Sequence, residues 1–163
     1  EPHQAGFVPI RIPNRAVDLQ NGAVLYQQKY ALCHGQQGEG IQTQGRYQYP
    51  PLWGKEAYNE GAGMHRILTA AAFIKANMPY LEAHWKQPKL SDEEAFDLAG
   101  YINSQKRPSL KKTKYDYPEN FRKPVSTPYG PWVDPFIAEQ HKYGPFPPII
   151  QFYQKTFNTR KKY

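Results

Sequence analysis

The chain contains a single cysteine, Cys33, and His34 follows it directly. A thiol here can add to a vinyl group of haem, while the adjacent imidazole can ligate the haem iron. The usual attachment motif for c-type haem has another cysteine three residues upstream, and that position holds Tyr30. These residues predict a haem site with one of its two covalent anchors missing, in which Tyr30 lies beside the cofactor.

A lone cysteine excludes an internal disulfide framework, which leaves a free thiol, an intermolecular bridge or a covalent cofactor anchor as the roles of Cys33. The chain begins at Glu1 without an initiator methionine or an apolar leader, as is typical of an exported protein after removal of its signal peptide. Because a free thiol is a liability in an exported protein, the anchor is favoured. The start of the chain at Glu1 is thus the reason to expect a periplasmic or otherwise exported protein.

An iron that only transfers electrons needs a second axial ligand, and a methionine thioether raises its reduction potential relative to a second imidazole. Two methionines are available. Met78 precedes Pro79, which stops the chain from continuing as a helix, and is the preferred ligand. Met64 has helical spacing with apolar residues and is assigned to core packing. The other histidines receive lesser roles: His65 and His84 are weaker ligand candidates, and His3 and His141 are surface residues.

The propionate groups of a haem are anions and need hydrogen-bond donors where they are partly buried. Four residues between the attachment site and the next predicted helix are candidates, of which some could supply the donors: Arg46, Tyr47, Tyr49 and Trp53. In the alternative interpretation, Leu52 and Trp53 cover the cofactor edge only by apolar contact.

Three helices are expected to position these residues. One begins at the N-cap Asp18 and runs to about Gln28, and a second covers residues 63–76. The third covers residues 91–105, where Ser91 and Glu94 form a capping box worth about 1 kcal/mol. No strand is predicted before residue 110, so this part of the chain is expected to be all-α.

The charge and composition change near Arg107. Residues 1–106 contain ten basic and ten acidic residues, whereas residues 107–163 contain eleven basic and four acidic ones, so the whole formal charge of +7 lies in the last third. That part also contains twelve aromatic residues and nine prolines. We predict an N-terminal extension over 1–17, a helical domain over 18–108 and a basic, mostly irregular arm over 109–163.

Three interpretations of the arm compete. A charged, proline-rich end is commonly disordered, but disordered segments are poor in aromatic residues. Binding to nucleic acid through basic and stacking side chains is disfavoured for an exported redox module. The preferred interpretation is an ordered arm that wraps its own domain or a partner, with aromatic side chains buried and turns at 129–132 and 143–146: Trp132, Phe136, Tyr143, Phe146 and Phe152. Its charge suggests a redox partner with an acidic surface, and no stretch approaches the roughly 18 apolar residues of a membrane span.

Eight blocks of the sequence resemble class I cytochrome c domains, most closely the second haem domain of periplasmic thiosulfate dehydrogenases: Gly22–Tyr26, Cys33–Gly35, Gly38–Gly40, Pro50–Gly54, Tyr58–Met64, Ala72–Pro79, Leu90–Ala95 and Ala99–Asn103. The resemblance covers about residues 18–108. It implies a cytochrome c fold whose first and last helices cross, with His34 as proximal and Met78 as distal ligand of one haem c.

The resemblance also implies a function. In thiosulfate dehydrogenases the substrate reacts at a different haem, so this chain is expected to relay single electrons within a larger exported redox complex and not to be an enzyme. With Tyr30 in place of a cysteine, two readings remain open. Either haem is held by one thioether from Cys33, as in mitochondrial cytochromes c that lack the first cysteine, or the domain has lost its haem and persists as a structural subunit.

Overall fold

The computed structural model describes residues 6–163, so His3 lies outside the described residues. A helical domain is followed by an arm that lies against it. The helices are α1 (Leu19–Lys29), α2 (Ala31–His34), α3 (Ile67–Asn77), α4 (Asp92–Ser104), α5 (Ala138–Tyr143) and α6 (Pro147–Phe157), and the strands are β1 (Ile41–Thr43) and β2 (Arg46–Tyr49). Within residues 6–163, no helix is long and apolar enough to cross a membrane.

Helices α1 and α4 cross closely, as the resemblance implied. The crossing depends on Gly22, because a Cβ atom there would lie 2.2 Å from the carbonyl oxygen of Asp97 and 2.7 Å from Cβ of Tyr101. One turn further on, the rings of Tyr26 and Tyr101 pack with their centroids 5.6 Å apart. Any larger residue at position 22 would push the helices apart.

The ends of these helices are set by side chains that the sequence analysis identified. Asp18 caps α1 by accepting a hydrogen bond from the amide of Asn21. Ser91 and Glu94 form the expected capping box at the start of α4. The predicted first and third helices are confirmed to within a residue or two. The second begins later than predicted, because Gly63–His65 is a single 3₁₀ turn and Arg66 is extended.

The prediction that no strand precedes residue 110 is wrong. Strands β1 and β2 form an antiparallel hairpin. Gln44 and Gly45 form its turn with φ of 52° and 75°, and two-residue hairpin turns with positive φ at both positions suit the twist of paired strands. The hairpin is mostly exposed, so it has no alternation of apolar and polar residues by which the sequence pattern could reveal it.

The arm packs on the domain through aromatic residues. Phe146 is fully buried, and its ring meets that of Phe96 in α4 edge to face at 6.1 Å. Trp132, Phe136, Tyr143 and Phe152 are partly buried. Most of the arm is irregular, but α5 and α6 were not predicted. Helix α6 begins with Pro147, which is suited to the first helical turn, and it buries Ile149 and Tyr153 one turn apart.

A group of buried polar side chains holds the arm together, and we call Asp134, His141, Tyr153 and Lys161 the arm cluster. Asp134 is 2.8 Å from Nε2 of His141 and accepts a hydrogen bond of 2.7 Å from the Tyr153 hydroxyl. The assignment of His141 to the surface is wrong, because it is 1% exposed and its ring stacks on Trp132 at 4.2 Å. Sequence spacing does not show which carboxylate the fold brings to a histidine.

Candidate functional site

An apolar cavity lies between α3, α4 and the segment that carries Cys33. Its volume is about 50 Å³. We call it the central cavity, and its lining consists of ten residues: Tyr30, His34, Leu52, Tyr58, Met64, Ala70, Phe73, Ile74, Met78 and Ile102. Three residues of the predicted site, Tyr30, His34 and Met78, therefore meet at one cavity.

A short turn of helix, α2, presents Cys33 and His34. It ends at Gly35, whose φ of 84° suits glycine, and the amide of Gly40 donates a hydrogen bond of 2.8 Å to the carbonyl of His34. The hydroxyl of Tyr26 donates a 2.6 Å hydrogen bond to the Gly35 carbonyl. These bonds hold the turn in place on α1.

The imidazole of His34 is buried and oriented. Its Nδ1 lies 2.9 Å from the carbonyl oxygen of Pro50, and a hydrogen bond at this distance makes Nδ1 the protonated nitrogen and leaves Nε2 as a lone-pair donor. Burial lowers the pKa of His34 below its ordinary value, so the ring is held neutral. A neutral imidazole whose other nitrogen donates to a carbonyl is the usual form of a histidine metal ligand.

Both methionines reach the central cavity, so the lining by itself does not separate them. Met78 directly follows α3 with extended backbone, and its amide donates a 2.9 Å hydrogen bond to the carbonyl of Ile74. The carbonyl of Met64 accepts a 2.9 Å hydrogen bond from the side-chain amide of Asn103 in α4. The preference for Met78 as ligand stays a prediction.

Tyr30 occupies the position of the missing cysteine and is 3% exposed. Its hydroxyl has no hydrogen-bond partner among the described residues, and burial raises the pKa of the phenol. An unpaired buried hydroxyl costs free energy of folding. Such a group is expected where a bound ligand completes the site. The lining offers the neutral imidazole of His34 and the methionine sulfur atoms of Met64 and Met78, and the rest of it is largely apolar. These residues fit a haem.

The other predicted haem contacts lie apart from the cavity lining. Arg46 and Tyr47 are exposed on β2. Trp53 packs between Tyr26, at 4.8 Å, and Tyr101, at 5.8 Å. It also covers Gly38, where a Cβ atom would lie 2.3 Å from the indole ring. The structure thus gives Trp53 a packing role, and the assignment of the three residues to the propionates stays a prediction.

Sequence reasoning missed Tyr58 and Arg107 near this cavity. Tyr58 lines it and donates a 2.9 Å hydrogen bond to Asn103, and the guanidinium of Arg107 lies 4.3 Å over the Tyr58 ring. The weak signal for Tyr58 was its place in a block resembling cytochromes c. In the sequence, Arg107 only marks the boundary at which the composition changes. Its contacts depend on how the chain folds back after α4, so no local pattern indicates them.

Comparison with known proteins agrees with this geometry. The family model for cytochrome c matches residues 19–106, more than half of the chain. The chain is 44% identical over 116 residues to a thiosulfate dehydrogenase of Stutzerimonas stutzeri strain A1501, which is 66% of this chain and 36% of that protein. It is 42% identical over 110 residues to a thiosulfate dehydrogenase of Allochromatium vinosum, which is 67% of this chain and 39% of that protein.

A solved structure is similar as well. The as-isolated form of the thiosulfate dehydrogenase TsdBA from Marichromatium purpuratum superimposes with a TM-score of 0.61 at 42% identity, over 70% of this chain and 24% of that one. The chain thus spans little more than a third of the length of the two curated relatives. The prediction of an all-α cytochrome c fold is confirmed by the family match and by this structure.

One prediction needs correction. From the sequence alone the chain is expected not to be an enzyme, but the relatives it matches are named thiosulfate dehydrogenase, which is an enzyme. That prediction is wrong because it judged one segment from the residues it lacks, whereas an electron-carrying segment takes part in an enzyme when it belongs to the same protein or assembly. On the family match and the geometry of the cavity, the chain belongs to the cytochrome c family.

Proposed function

We propose that this chain carries single electrons through one haem c, attached by a single thioether from Cys33, with His34 and Met78 as the axial ligands of the iron. A haem c supplies one-electron exchange between ferric and ferrous iron when it is bound. Cys33 holds the porphyrin, His34 offers Nε2 and Met78 offers its thioether sulfur. The apolar lining keeps water from the iron.

One observation carries this proposal. The residue next to the only cysteine is a buried histidine whose Nδ1 lies 2.9 Å from a backbone carbonyl, and its ring faces the same apolar cavity as Met78. A histidine that only packs in the core would not need to be oriented in this way. The same cavity is lined by Tyr30, whose hydroxyl is unpaired, and by the two methionines Met64 and Met78.

The test is an optical spectrum of protein made with the c-type maturation machinery. Reduced pyridine haemochrome with one unreacted vinyl group has its alpha band at longer wavelength than a two-thioether haem c. After denaturing electrophoresis, the band of the wild-type chain should stain for haem, and the band of Cys33→Ala should not. An oxidised band near 695 nm should disappear in Met78→Ala and persist in Met64→Leu. Absence of haem from the wild-type chain would instead favour the haem-degenerate structural subunit.

We propose that the chain works in the periplasm or another exported compartment, as the electron-carrying part of a thiosulfate dehydrogenase type of enzyme or complex. The similarity to thiosulfate dehydrogenases supports this. The charge of +7 in residues 107–163 suits a partner with an acidic surface, since such steering weakens as salt screens it. Association or electron-transfer rates that do not change with ionic strength would contradict the acidic partner and leave the haem assignment untouched.

A further inference from the structure

The guanidinium of Arg107 is not part of the lining of the central cavity, but it contacts three residues that are. Arg107 follows the end of α4, and its side chain turns back toward the domain. Its Nη2 donates a 2.7 Å hydrogen bond to the carbonyl of Ile102, and its Nη1 donates a 3.3 Å hydrogen bond to the carbonyl of Leu52. The guanidinium also lies 4.3 Å over the ring of Tyr58. Ile102, Leu52 and Tyr58 all line the central cavity.

Backbone hydrogen bonds fix the segment around Arg107. The amide of Gly54 donates to the carbonyl of Lys106 at 2.8 Å, and the amide of Glu60 donates to the carbonyl of Pro108 at 3.0 Å. Both neighbours of Arg107 in sequence are thus tied to the loop between the hairpin and α3. The position of the guanidinium is therefore set by the fold and does not depend on a flexible tail.

The positive charge of Arg107 has no counterion among residues 6–163, since no carboxylate lies within ion-pair distance. Its Nε is buried and has no hydrogen-bond partner among the described residues. A buried donor without a partner costs free energy of folding. By contrast, Arg15 is paired with Asp97 at 2.7 Å and Glu93 at 2.9 Å.

We propose that Arg107 binds a propionate carboxylate of the haem. A guanidinium presents a planar fork of donors that matches a carboxylate in two hydrogen bonds, and two of its five donors are already used to orient it. A haem c supplies the anion that the fold leaves out. This inference rests on the proposed function, and it replaces Arg46, which is exposed on β2, as the principal cationic partner of the cofactor.

A cation beside a propionate has a measurable effect on the iron. The charge of Arg107 offsets the negative propionate and disfavours ferric relative to ferrous haem, so it raises the reduction potential. Removing it in Arg107→Gln should shift the ferric/ferrous equilibrium about tenfold toward ferric, which is about 59 mV for one electron. Arg107→Lys keeps the charge and should keep a potential close to that of the wild type.

The experiment is a potentiometric titration of the haem-loaded full chain with Arg107→Gln, Arg107→Lys and the matched control Arg46→Gln. The expected result is a lowered potential in Arg107→Gln alone. An unchanged potential in Arg107→Gln, or an equal drop in Arg107→Lys, would overturn the proposal, since the second result means that only packing was lost. An equal drop in Arg46→Gln would mean that Arg46 on β2 interacts with the propionates as strongly as Arg107 does, which would contradict the proposal.

A second measurement keeps the proposal testable if Arg107→Gln does not fold. The infrared difference spectrum between oxidised and reduced protein reports the propionate carboxylate stretch. In Arg107→Lys this band should shift, because lysine cannot reproduce the two-bond fork, and an unchanged band would contradict the proposal. A wild-type chain without haem would instead contradict the proposed function, so the two failures are distinct.

Discussion

The central cavity and the arm cluster both contain buried polar groups, but every polar side chain of the arm cluster has a hydrogen-bond partner, whereas Tyr30 at the cavity has none among the described residues. In the arm cluster, Asp134 lies at hydrogen-bond distance from His141 and Tyr153. The ammonium of Lys161 donates to the carbonyls of Phe121 and Lys123 at 2.7 and 2.6 Å. In the cavity lining, the hydroxyl of Tyr30 has no partner among the described residues, and neither does Nε of Arg107, which contacts the lining residue Tyr58.

The difference separates a structural use of polar groups from a use in binding. The arm cluster is complete as folded, so its groups serve stability. At the cavity two polar groups stay unpaired: the hydroxyl of Tyr30 in the lining, and Nε of Arg107 next to the lining. An unpaired atom alone does not mark a site, because Asn120, Ser126 and Thr127 of the arm also have one. Tyr30 differs from these residues because it lines the cavity, and Arg107 differs because it contacts three residues of the lining.

The largest effect is expected at the centre of the arm cluster. Asp134→Asn replaces one of the two carboxylate oxygens that lie at hydrogen-bond distance from His141 and Tyr153 with an amide group, and leaving a buried polar group without its partner costs up to about 3 kcal/mol of unfolding free energy. Urea denaturation followed by fluorescence measures it. The matched control is Glu139→Gln in the exposed part of α5, which should change little. Equal stability of the two variants would show that the arm cluster is not what holds the arm.

Two tyrosines sharpen the comparison directly. Tyr153→Phe removes a hydroxyl that donates 2.7 Å to Asp134 and should cost about 1 to 2 kcal/mol, whereas Tyr30→Phe removes an unpaired one and should cost nothing in the haem-free protein. Both are measured by denaturation of haem-free chains. If Tyr30→Phe destabilised the chain as much as Tyr153→Phe, the cavity would be a satisfied core and not an open site.

Lys161 gives the arm cluster a dependence on pH. Burial lowers the pKa of Lys161 to about 8, below the value of about 10.4 in an unfolded chain. Between these values the unfolded chain binds more protons, so stability should rise as the pH rises from about 8 to 10. The slope of unfolding free energy against pH tests this. Lys161→Gln should flatten the slope, and Lys155→Gln, on the exposed side of α6, should not.

The smallest expected effect is a spectroscopic one at the cavity. Tyr30→Cys restores the second cysteine of the attachment motif, so a matured protein should carry two thioethers. The reduced pyridine haemochrome should then move its alpha band to shorter wavelength, while the 695 nm band of the methionine ligand stays. A band that does not move would mean that position 30 does not reach the second vinyl group.

Local sequence signals predicted much of the domain. The caps at Asp18 and Ser91 determined where α1 and α4 begin, because capping depends on a few adjacent residues. The hairpin was missed because its strands are mostly exposed. Helix α6 was missed because it lies in a proline-rich segment, although Pro147 begins it. Of the candidate site, Tyr30, His34 and Met78 were found by spacing and do line one cavity, whereas Arg46 and Tyr47 were chosen by position along the chain and lie on the exposed hairpin.

The sequence by itself determined which reactive groups the chain has. They are the thiol of Cys33 beside the imidazole of His34, the sulfur atoms of two methionines, and Tyr30 where a second cysteine is usual. These depend only on residue identity and short spacing. Only the tertiary structure decided that Pro50 orients His34, that Arg107 is left without a counterion at the cavity and that His141 is buried against Asp134. These contacts join residues from different segments of the chain, so they are set by how the segments pack and not by local pattern.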